Sequence, residues 1–167
     1  MKIVMASDHS ALDIRAEIKD YIESLGHEVW DLGPFTDEST DYPLYGAAAA
    51  KVVAQGEADL GVIFCGTGLG ISLAANKMPG IRCCVCSEPY TAKMSRLHND
   101  ANMLAMGARV VGSELAKDIV DAFLNHEVEG GRHGRRVNLI KSLDKDPTSL
   151  DDRIEKILAK AKDAAKD

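Results

Sequence analysis

The stretch GVIFCGTGLGIS, residues 61–72, joins an apolar run to a glycine-rich turn. A short apolar run of this kind is typical of a strand in a parallel sheet that is covered on both faces. Gly66, Gly68 and Gly70 follow, and a turn that opens a helix presents backbone N–H groups to an anion. The order of strand, turn and helix predicts a βα unit, and the same order recurs on both sides of it.

Short apolar runs alternate with segments of helical length along most of the chain. This rhythm predicts a single doubly wound, Rossmann-like α/β domain with a five-stranded parallel sheet and helices on both faces. We expect C-terminal helices after it, the first of them following the glycine- and arginine-rich turn that begins at residue 130. In the first helix, over about 11–25, helical spacing predicts a buried face made by Leu12, Ile18, Ile22 and Leu25. The predicted strands lie within residues 2–6, 27–33, 59–65, 81–86 and 103–107.

The 167 residues are enough for one domain with a substantial core. We expect one domain, formed by residues 1–147, followed by an amphipathic helical extension over residues 148–167. The extension carries Leu150, Ile154 and Ile157 on one face, together with mixed charges, which favours packing on protein over membrane binding.

Composition limits the partners and the location of the protein. The net charge of −6 argues against a nucleic-acid binder, because such proteins contact phosphates through many Lys and Arg residues. No apolar stretch approaches the roughly 20 residues that span a bilayer, and we expect a cytoplasmic protein without a membrane partner. The chain has neither a CxxC pair nor an HExxH motif, so we predict no metal, and we expect reduced thiols at Cys65, Cys83, Cys84 and Cys86.

Cys65 stands at the start of the glycine turn and has two interpretations. It is either a small buried side chain that closes a strand or a reactive thiolate favoured by the N–H groups beside it. A dinucleotide-binding loop is a weaker interpretation, since Ile71 stands where GxGxxG requires glycine. We therefore expect no cofactor, and we expect Cys83, Cys84 and Cys86 to belong to the core.

Polar groups at three other places allow both structural and functional roles. Asp8 and His9 follow the first strand, where they either cap a helix or bind a ligand. His98 follows a helix and is either solvated or an acid–base group. A cluster of basic residues at 132–136 follows two glycines, and it is either a solvated turn or a loop that closes on a phosphate, with Arg109 as a further contributor.

Several distinctive stretches occur along residues 1–143. They are SDH at 7–9, TDYP at 40–43, CGTGLGIS at 65–72, AANKMPGIR at 74–82, SEPY at 87–90, RLHNDANMLAMGARVVG at 96–112 and EGGRHGRRV at 129–137. Together they resemble the family of ribose-5-phosphate isomerase B, in the wider group that includes galactose-6-phosphate isomerase. The resemblance implies an aldose–ketose isomerase that acts on a phosphorylated sugar, with no metal and no cofactor.

The resemblance also implies a role for each site residue. Cys65 would move a proton between C1 and C2 of the open sugar, Thr67 would help to stabilise the enediolate, and His98 would open the furanose ring. The N–H groups implied for the enediolate belong to Gly66, Gly68, Leu69 and Gly70. The residues implied for the ring oxygen and hydroxyl groups are Asp8, Tyr42 and Asn99. The residues implied for the phosphate are His9, Arg109, Arg132 and Arg136.

In this family the site lies at a dimer interface, so the resemblance implies a homodimer with shared sites and leaves pairing of dimers into tetramers open. The chain departs from the family pattern at Ser10 and Ala11, where a small residue and glycine are usual, and at Arg15, where lysine is usual. These changes border the expected pocket but remove none of the implied catalytic groups.

Three functions remain to be separated. Ribose 5-phosphate and ribulose 5-phosphate are the expected substrates, because one chain carries the complete set of residues, whereas galactose-6-phosphate isomerase usually divides its site between two different chains. A six-carbon phosphate, such as allose 6-phosphate or galactose 6-phosphate, is the nearer alternative. A non-enzymatic sugar-phosphate or nucleotide sensor is the further one, and it would have no need of Cys65 or His98.

Overall fold

The structure is a computed structural model that describes residues 1–164, so the last three residues of the expected extension lie outside it. Its sheet has five parallel strands in the order β2-β1-β3-β5-β4, which confirms the predicted architecture. The strands are Lys2–Ser7 (β1), Glu28–Asp31 (β2), Leu60–Cys65 (β3), Cys83–Val85 (β4) and Met103–Gly107 (β5). The helices are Leu12–Ser24 (α1), Tyr42–Ala54 (α2), Leu69–Ala75 (α3), Pro89–Asn99 (α4), Ser113–Leu124 (α5), Gly131–Lys145 (α6) and Asp151–Ala164 (α7).

Alternate residues of the strands enter two separate cores, one on each face of the sheet. Ile3 and Met5 of β1 join Phe64 of β3 in the core that also contains residues of α1, α4 and α5. Val4 and Cys65 lie in the other core, with alanines and valines of α2 and part of α3. This period of two along the strands sets the face to which each side chain points.

The first helix differs in part from its expected apolar face. Ile18 and Ile22 are fully buried, as expected, but Leu25 is 44% exposed because α1 ends at Ser24. Arg15 takes a place in the buried face instead. Its guanidinium donates to Ser7 Oγ at 2.8 Å and to the Pro34 carbonyl at 2.6 Å.

An ion pair with Asp31, at 3.2 Å from Arg15 Nε, offsets the cost of burying the Arg15 charge. Burial lowers the pKa of Arg15 and the Asp31 carboxylate opposes that shift. The arginine that replaces the family's usual lysine therefore ties α1 to the ends of β1 and β2.

The C-terminal helices differ from the domain in their burial. Val137 of α6 is buried against the domain, whereas Ile154, Ile157 and Leu158 of α7 are all exposed. Within residues 1–164, no helix combines the length and the apolar character that a membrane crossing requires. The extension thus forms the expected helix with an apolar face, but the described side chains of that face are exposed rather than packed on the domain.

Candidate active site

Cys65 is the last residue of β3, and only 4% of it is exposed. It pairs with Gly107 of β5, and its carbonyl accepts a hydrogen bond from Ala108 N at 2.9 Å. The main chain on both sides of the thiol is therefore held by the sheet. All four cysteines are free thiols, and Cys83 and Cys86 are buried as expected, while Cys84 is half-buried.

The glycine turn directs a backbone donor at this thiol. Gly68 N donates to Cys65 Sγ at 3.2 Å, a contact that stabilises negative charge on sulfur. Gly68 has φ +77° at the start of α3, a conformation that favours glycine. A Cβ at this position would also stand 2.9 Å from the Met106 carbonyl carbon, so the close packing of the turn on β5 requires glycine.

Three further implied site residues surround the turn. A Cβ added to Gly70 would lie 2.6 Å from the Tyr42 ring, so this ring is packed directly on the turn. The Arg109 guanidinium lies against Gly66, and Arg109 N donates to the Gly66 carbonyl at 3.0 Å. Thr67 is exposed at the tip of the turn. The chain thus brings Tyr42, Thr67 and Arg109 to the same edge as Cys65.

Asp8 and His9 reach this edge from the end of β1. Asp8 is buried, and its Oδ1 accepts from Ser10 N at 2.9 Å and from Ser10 Oγ at 2.6 Å. Ser10, which departs from the family pattern, thus fixes the orientation of the Asp8 carboxylate. Asp8 caps the short 3-10 helix His9–Ala11 rather than α1, whose N-cap, Ala11, makes no side-chain hydrogen bond. This cap leaves a ligand role for Asp8 open.

His9 is oriented by the loop before α2. The ring Nδ1 of His9 accepts a hydrogen bond from Thr40 N at 3.1 Å, and the main-chain N–H of His9 donates to Thr40 Oγ1 at 3.2 Å. Because Nδ1 accepts a hydrogen bond, the neutral ring carries its proton on Nε2. His9 therefore offers an N–H donor of the kind that a phosphate oxygen accepts.

His98 and Asn99 lie at the opposite edge of the sheet. They end α4, which runs back from the carboxyl end of β4 to the start of β5. Arg82, which precedes β4, donates from Nε to the Asn99 carbonyl at 3.2 Å, and Asn102 N donates to the Arg82 carbonyl at 3.2 Å. Both contacts are made at the amino ends of the strands.

The basic cluster also lies at the amino edge, and it is not a loop. The helix α6 begins at Gly131, so Arg132 and Arg136 project from its first turns and are fixed by a helix rather than by the flexible turn expected from the two glycines. They are four residues apart and therefore share a helix face. Arg109, at the carboxyl edge, does not join them within one chain.

Two residues that the sequence did not assign to the site surround His98. The rings of His98 and His133 stack with their centroids 4.0 Å apart and their planes 8° apart. Glu129 Oε2 lies 4.0 Å from His98 Nε2 and 3.8 Å from His133 Nε2. Arg132 Nε donates to His133 Nε2 at 3.2 Å. The four-residue spacing of Glu129 and His133 beside the arginines was the available sequence signal.

Burial, reinforced by His98 and Arg132, lowers the pKa of His133 from 6.5, while Glu129 opposes the shift. A depressed pKa keeps His133 neutral at neutral pH, which avoids two stacked positive rings. His98 therefore rests on an uncharged imidazole.

The two groups of implied residues are separated by the length of the sheet. Cys65 pairs with Gly107, the last residue of β5. Met103, the first residue of β5, follows the short loop after His98 and Asn99 at the amino edge. Four residue steps along a strand span about 13 Å, so Cys65 and His98 of the same chain lie near opposite ends of β5. Within one chain, the residues implied by the resemblance thus form two groups at opposite edges of the sheet, called below the Cys65 half site and the His98 half site.

Comparisons with known proteins show the family of the chain. The sequence model of the family described as Ribose/Galactose Isomerase matches residues 3–140. Ribose-5-phosphate isomerase B of Escherichia coli (strain K12) is 52% identical over 143 residues, which cover 86% of this chain and 96% of that protein. The galactose-6-phosphate isomerase subunit LacB of Clostridium acetobutylicum is 42% identical over 144 residues, which cover 86% of this chain and 82% of that protein.

A solved structure shows the same fold. Ribose-5-phosphate isomerase B of Clostridium thermocellum superposes with a TM-score of 0.85 at 53% identity, and the match covers 87% of this chain and 98% of that one. The family match covers most of the domain, and the motifs that carry the resemblance lie within it. The chain belongs to the ribose/galactose isomerase family.

Proposed function

We propose that this protein interconverts D-ribose 5-phosphate and D-ribulose 5-phosphate through an enediolate. The observation that carries the proposal is the Cys65 thiol at the buried end of β3, with Gly68 N–H directed at its sulfur. The names of the similar proteins from Escherichia coli and Clostridium thermocellum support the choice of substrate. Aldose–ketose exchange requires a base, an oxyanion site and a group that moves hydroxyl protons.

Cys65 acts as the base. Its thiolate removes the proton on C2 of the open aldose, the electron pair forms the C1–C2 double bond, and the carbonyl oxygen becomes the enediolate oxygen. The N–H groups of the glycine turn and the Thr67 hydroxyl donate to that oxygen. Return of the proton from the thiol to C1, with transfer of the O2 proton to O1, completes the ketose without net loss or gain of atoms.

His98 opens the furanose before this step. It takes the proton from the anomeric hydroxyl and delivers a proton to the ring oxygen, which breaks the C1–O4 bond. The neutral His133 ring against it leaves His98 able to accept and release this proton.

The remaining implied residues bind and orient the substrate. The phosphate takes no part in bond changes, so its contacts act by fixing the open chain next to Cys65. Residues proposed to bind the phosphate are His9, Arg109, Arg132 and Arg136. Residues proposed to contact the sugar oxygens are Asp8, Tyr42 and Asn99.

A homodimer completes each site by placing the His98 half site of one copy against the Cys65 half site of the other. The separation of the two half sites within a chain supports this arrangement. So does the apolar rim beside the glycine turn, because Leu44, Leu69 and Leu73 are 70%, 59% and 66% exposed and would be covered by a partner. Light scattering should give twice the 18.0 kDa mass of one chain, or a multiple of it.

Isomerisation of a six-carbon sugar phosphate is the second candidate, favoured by the similarity to a galactose-6-phosphate isomerase subunit. The assay measures ketose formation from ribose 5-phosphate, allose 6-phosphate and galactose 6-phosphate, with a chelator present throughout. The highest kcat/KM with ribose 5-phosphate is the expected result. A higher kcat/KM with either hexose phosphate would identify that sugar as the preferred substrate. No turnover of any of the three sugar phosphates would favour a non-enzymatic sensor.

Alkylation gives a second test of the same site. Iodoacetamide should inactivate the enzyme, and saturating ribose 5-phosphate should slow the inactivation because it covers Cys65. Equal rates with and without the sugar would place the reactive thiol outside the substrate site. We also propose that the protein acts in the cytoplasm, where its four free thiols would stay reduced.

A further inference from the structure

His98, Glu129 and His133 form a compact group of metal-ligating side chains. One ligand atom of each residue lies within 4.8 Å of those of the other two. Two imidazoles and a carboxylate are the ligand set of many zinc sites in which a fourth position stays open. Nothing in the proposed isomerase reaction requires such a set.

The geometry needs only a small contraction to hold an ion. Ligand atoms about 2.1 Å from a tetrahedral ion are roughly 3.4 Å apart. The widest separation in the cluster, 4.8 Å, therefore has to close by about 1.4 Å, and the stacked rings have to tilt so that both lone pairs converge. Glu129 is exposed and His98 is part-exposed, so these two side chains have room to move towards the buried His133.

We propose that His98, Glu129 and His133 bind a divalent transition-metal ion of the zinc type, and that the bound ion inhibits the isomerase. The inhibition rests on the proposed role of His98: a ring coordinated to the metal has no free nitrogen lone pair at Nε2 with which to move the ring-opening proton. The ion is thus an inhibitor rather than a cofactor, which is compatible with a reaction that needs no metal.

The donor atoms of the cluster suit a cation. Each imidazole offers one ring nitrogen, and Glu129 offers a carboxylate oxygen. Because His133 Nε2 accepts a hydrogen bond from Arg132 Nε, this nitrogen carries a lone pair, which an ion could take up once Arg132 moves away. The Glu129 carboxylate supplies the negative charge that attracts the cation.

Arg132 would compete with the ion for the His133 lone pair, which allows a test specific to this site. Its guanidinium occupies the His133 lone pair and adds a positive charge close to the site. Removal of this side chain should therefore tighten metal binding, although it should weaken binding of the sugar phosphate. A non-specific site on the protein surface would have no reason to respond in this direction.

Calorimetric titration of chelator-treated, dialysed protein with ZnCl₂ tests the site. One ion per chain is expected for the wild type. Glu129→Gln and His133→Gln should each weaken the affinity at least about tenfold, whereas Arg132→Gln should strengthen it. His27→Gln, a histidine remote from the cluster, is the matched control and should match the wild type. Equal affinity in the wild type and in Glu129→Gln would overturn the proposal.

Zinc also binds thiolates, so Cys65 has to be excluded as the ligand. Cys65→Ala should keep the wild-type zinc affinity, and Co²⁺ should give visible d–d absorption without a thiolate charge-transfer band. Loss of binding in Cys65→Ala, or a thiolate band with Co²⁺, would place the ion on the cysteine and overturn the proposal.

Inhibition is measured separately from binding. With each variant normalised to its own rate in chelator, half-inhibition of Glu129→Gln should require at least about ten times more Zn²⁺ than that of the wild type. Equal inhibition of the two proteins would contradict the proposed mechanism. Absence of isomerase activity in chelator would instead contradict the proposed function, and the calorimetric result would stand on its own.

Discussion

At the carboxyl edge of the sheet, the surroundings of Cys65 are made largely by backbone, whereas at the amino edge the surroundings of His98 are made by side chains. Gly68 N–H contacts the thiol, and Gly107 holds the strand end in register. His98 instead rests on His133 and faces Glu129. Backbone donors fixed by the sheet suit the stabilisation of an oxyanion, whereas imidazole side chains suit the proton transfers that would open the sugar ring.

The comparison of the two edges predicts that removal of the Cys65 thiol lowers kcat more than any other single substitution described below. Cys65→Ala should lower kcat about 10³-fold, because it removes the general base while leaving the N–H donors in place. The melting temperature should change little. Cys86→Ala, which alters another buried thiol near the same edge, is the control and should retain activity. Wild-type turnover by Cys65→Ala would remove the thiolate from the proposed mechanism.

Mixed dimers test whether the two edges of different chains work together. Cys65→Ala and His98→Ala should each be inactive, but co-expressed chains should recover about a quarter of wild-type activity, since half of the dimers are mixed and each mixed dimer has one intact site. Differently tagged chains allow the mixed dimers to be purified and assayed alone. Inactive mixed dimers would mean that each site is built within a single chain.

Gly70→Ala perturbs the backbone-built edge without removing a chemical group. Its Cβ would stand 2.6 Å from the Tyr42 ring, so the ring must move away from the turn. We expect kcat/KM to fall about tenfold to a hundredfold. The free energy of unfolding should not change, because the Tyr42 ring is partly exposed and can move. Gly112→Ala, which meets no atom within 4 Å, is the matched control. Equal kinetics for both variants would show that the position of Tyr42 does not matter.

The smallest effect concerns the amino edge and pH. His133 has a folded pKa below 6.5, so the unfolded chain binds more protons between that lowered value and 6.5. The free energy of unfolding should therefore decrease as pH falls through this window. Burial lowers the pKa of His133 most, His98, Arg132 and Arg136 lower it further, and Glu129 opposes the shift. Urea titrations at several pH values should show a flatter dependence for His133→Gln than for His27→Gln.

The carboxyl edge was more predictable from sequence than the amino edge. Cys65 and the glycines are contiguous, and a parallel sheet places every strand end at one edge, so Asp8 and His9 could be assigned to the same region. His98 and Arg132 are separated by more than 30 residues, and no spacing rule reveals that their surroundings include a stacked His133. The start of α6 was also missed, because two glycines favour a turn but Gly131 begins a helix.

Packing details decided the other differences. Helical periodicity places Leu25 on the same face as Ile18, but the helix ends first and leaves the side chain exposed. Periodicity also gives no reason to bury Arg15, whose charge is offset by Asp31 across the sheet end. Such pairings depend on which loops meet in space, and a single sequence carries no direct record of that.

His98 lies at the far edge of the sheet from Cys65, so the proposed shared site would make the rate depend on dimer formation. If every complete site needs two copies, a chain on its own has none, and specific activity should fall on dilution below the dissociation constant of the dimer. Substrate that bridges both halves should hold the copies together and shift that fall to lower protein concentration. The amount of enzyme present would then set its rate in two ways, through the number of chains and through the fraction that is paired.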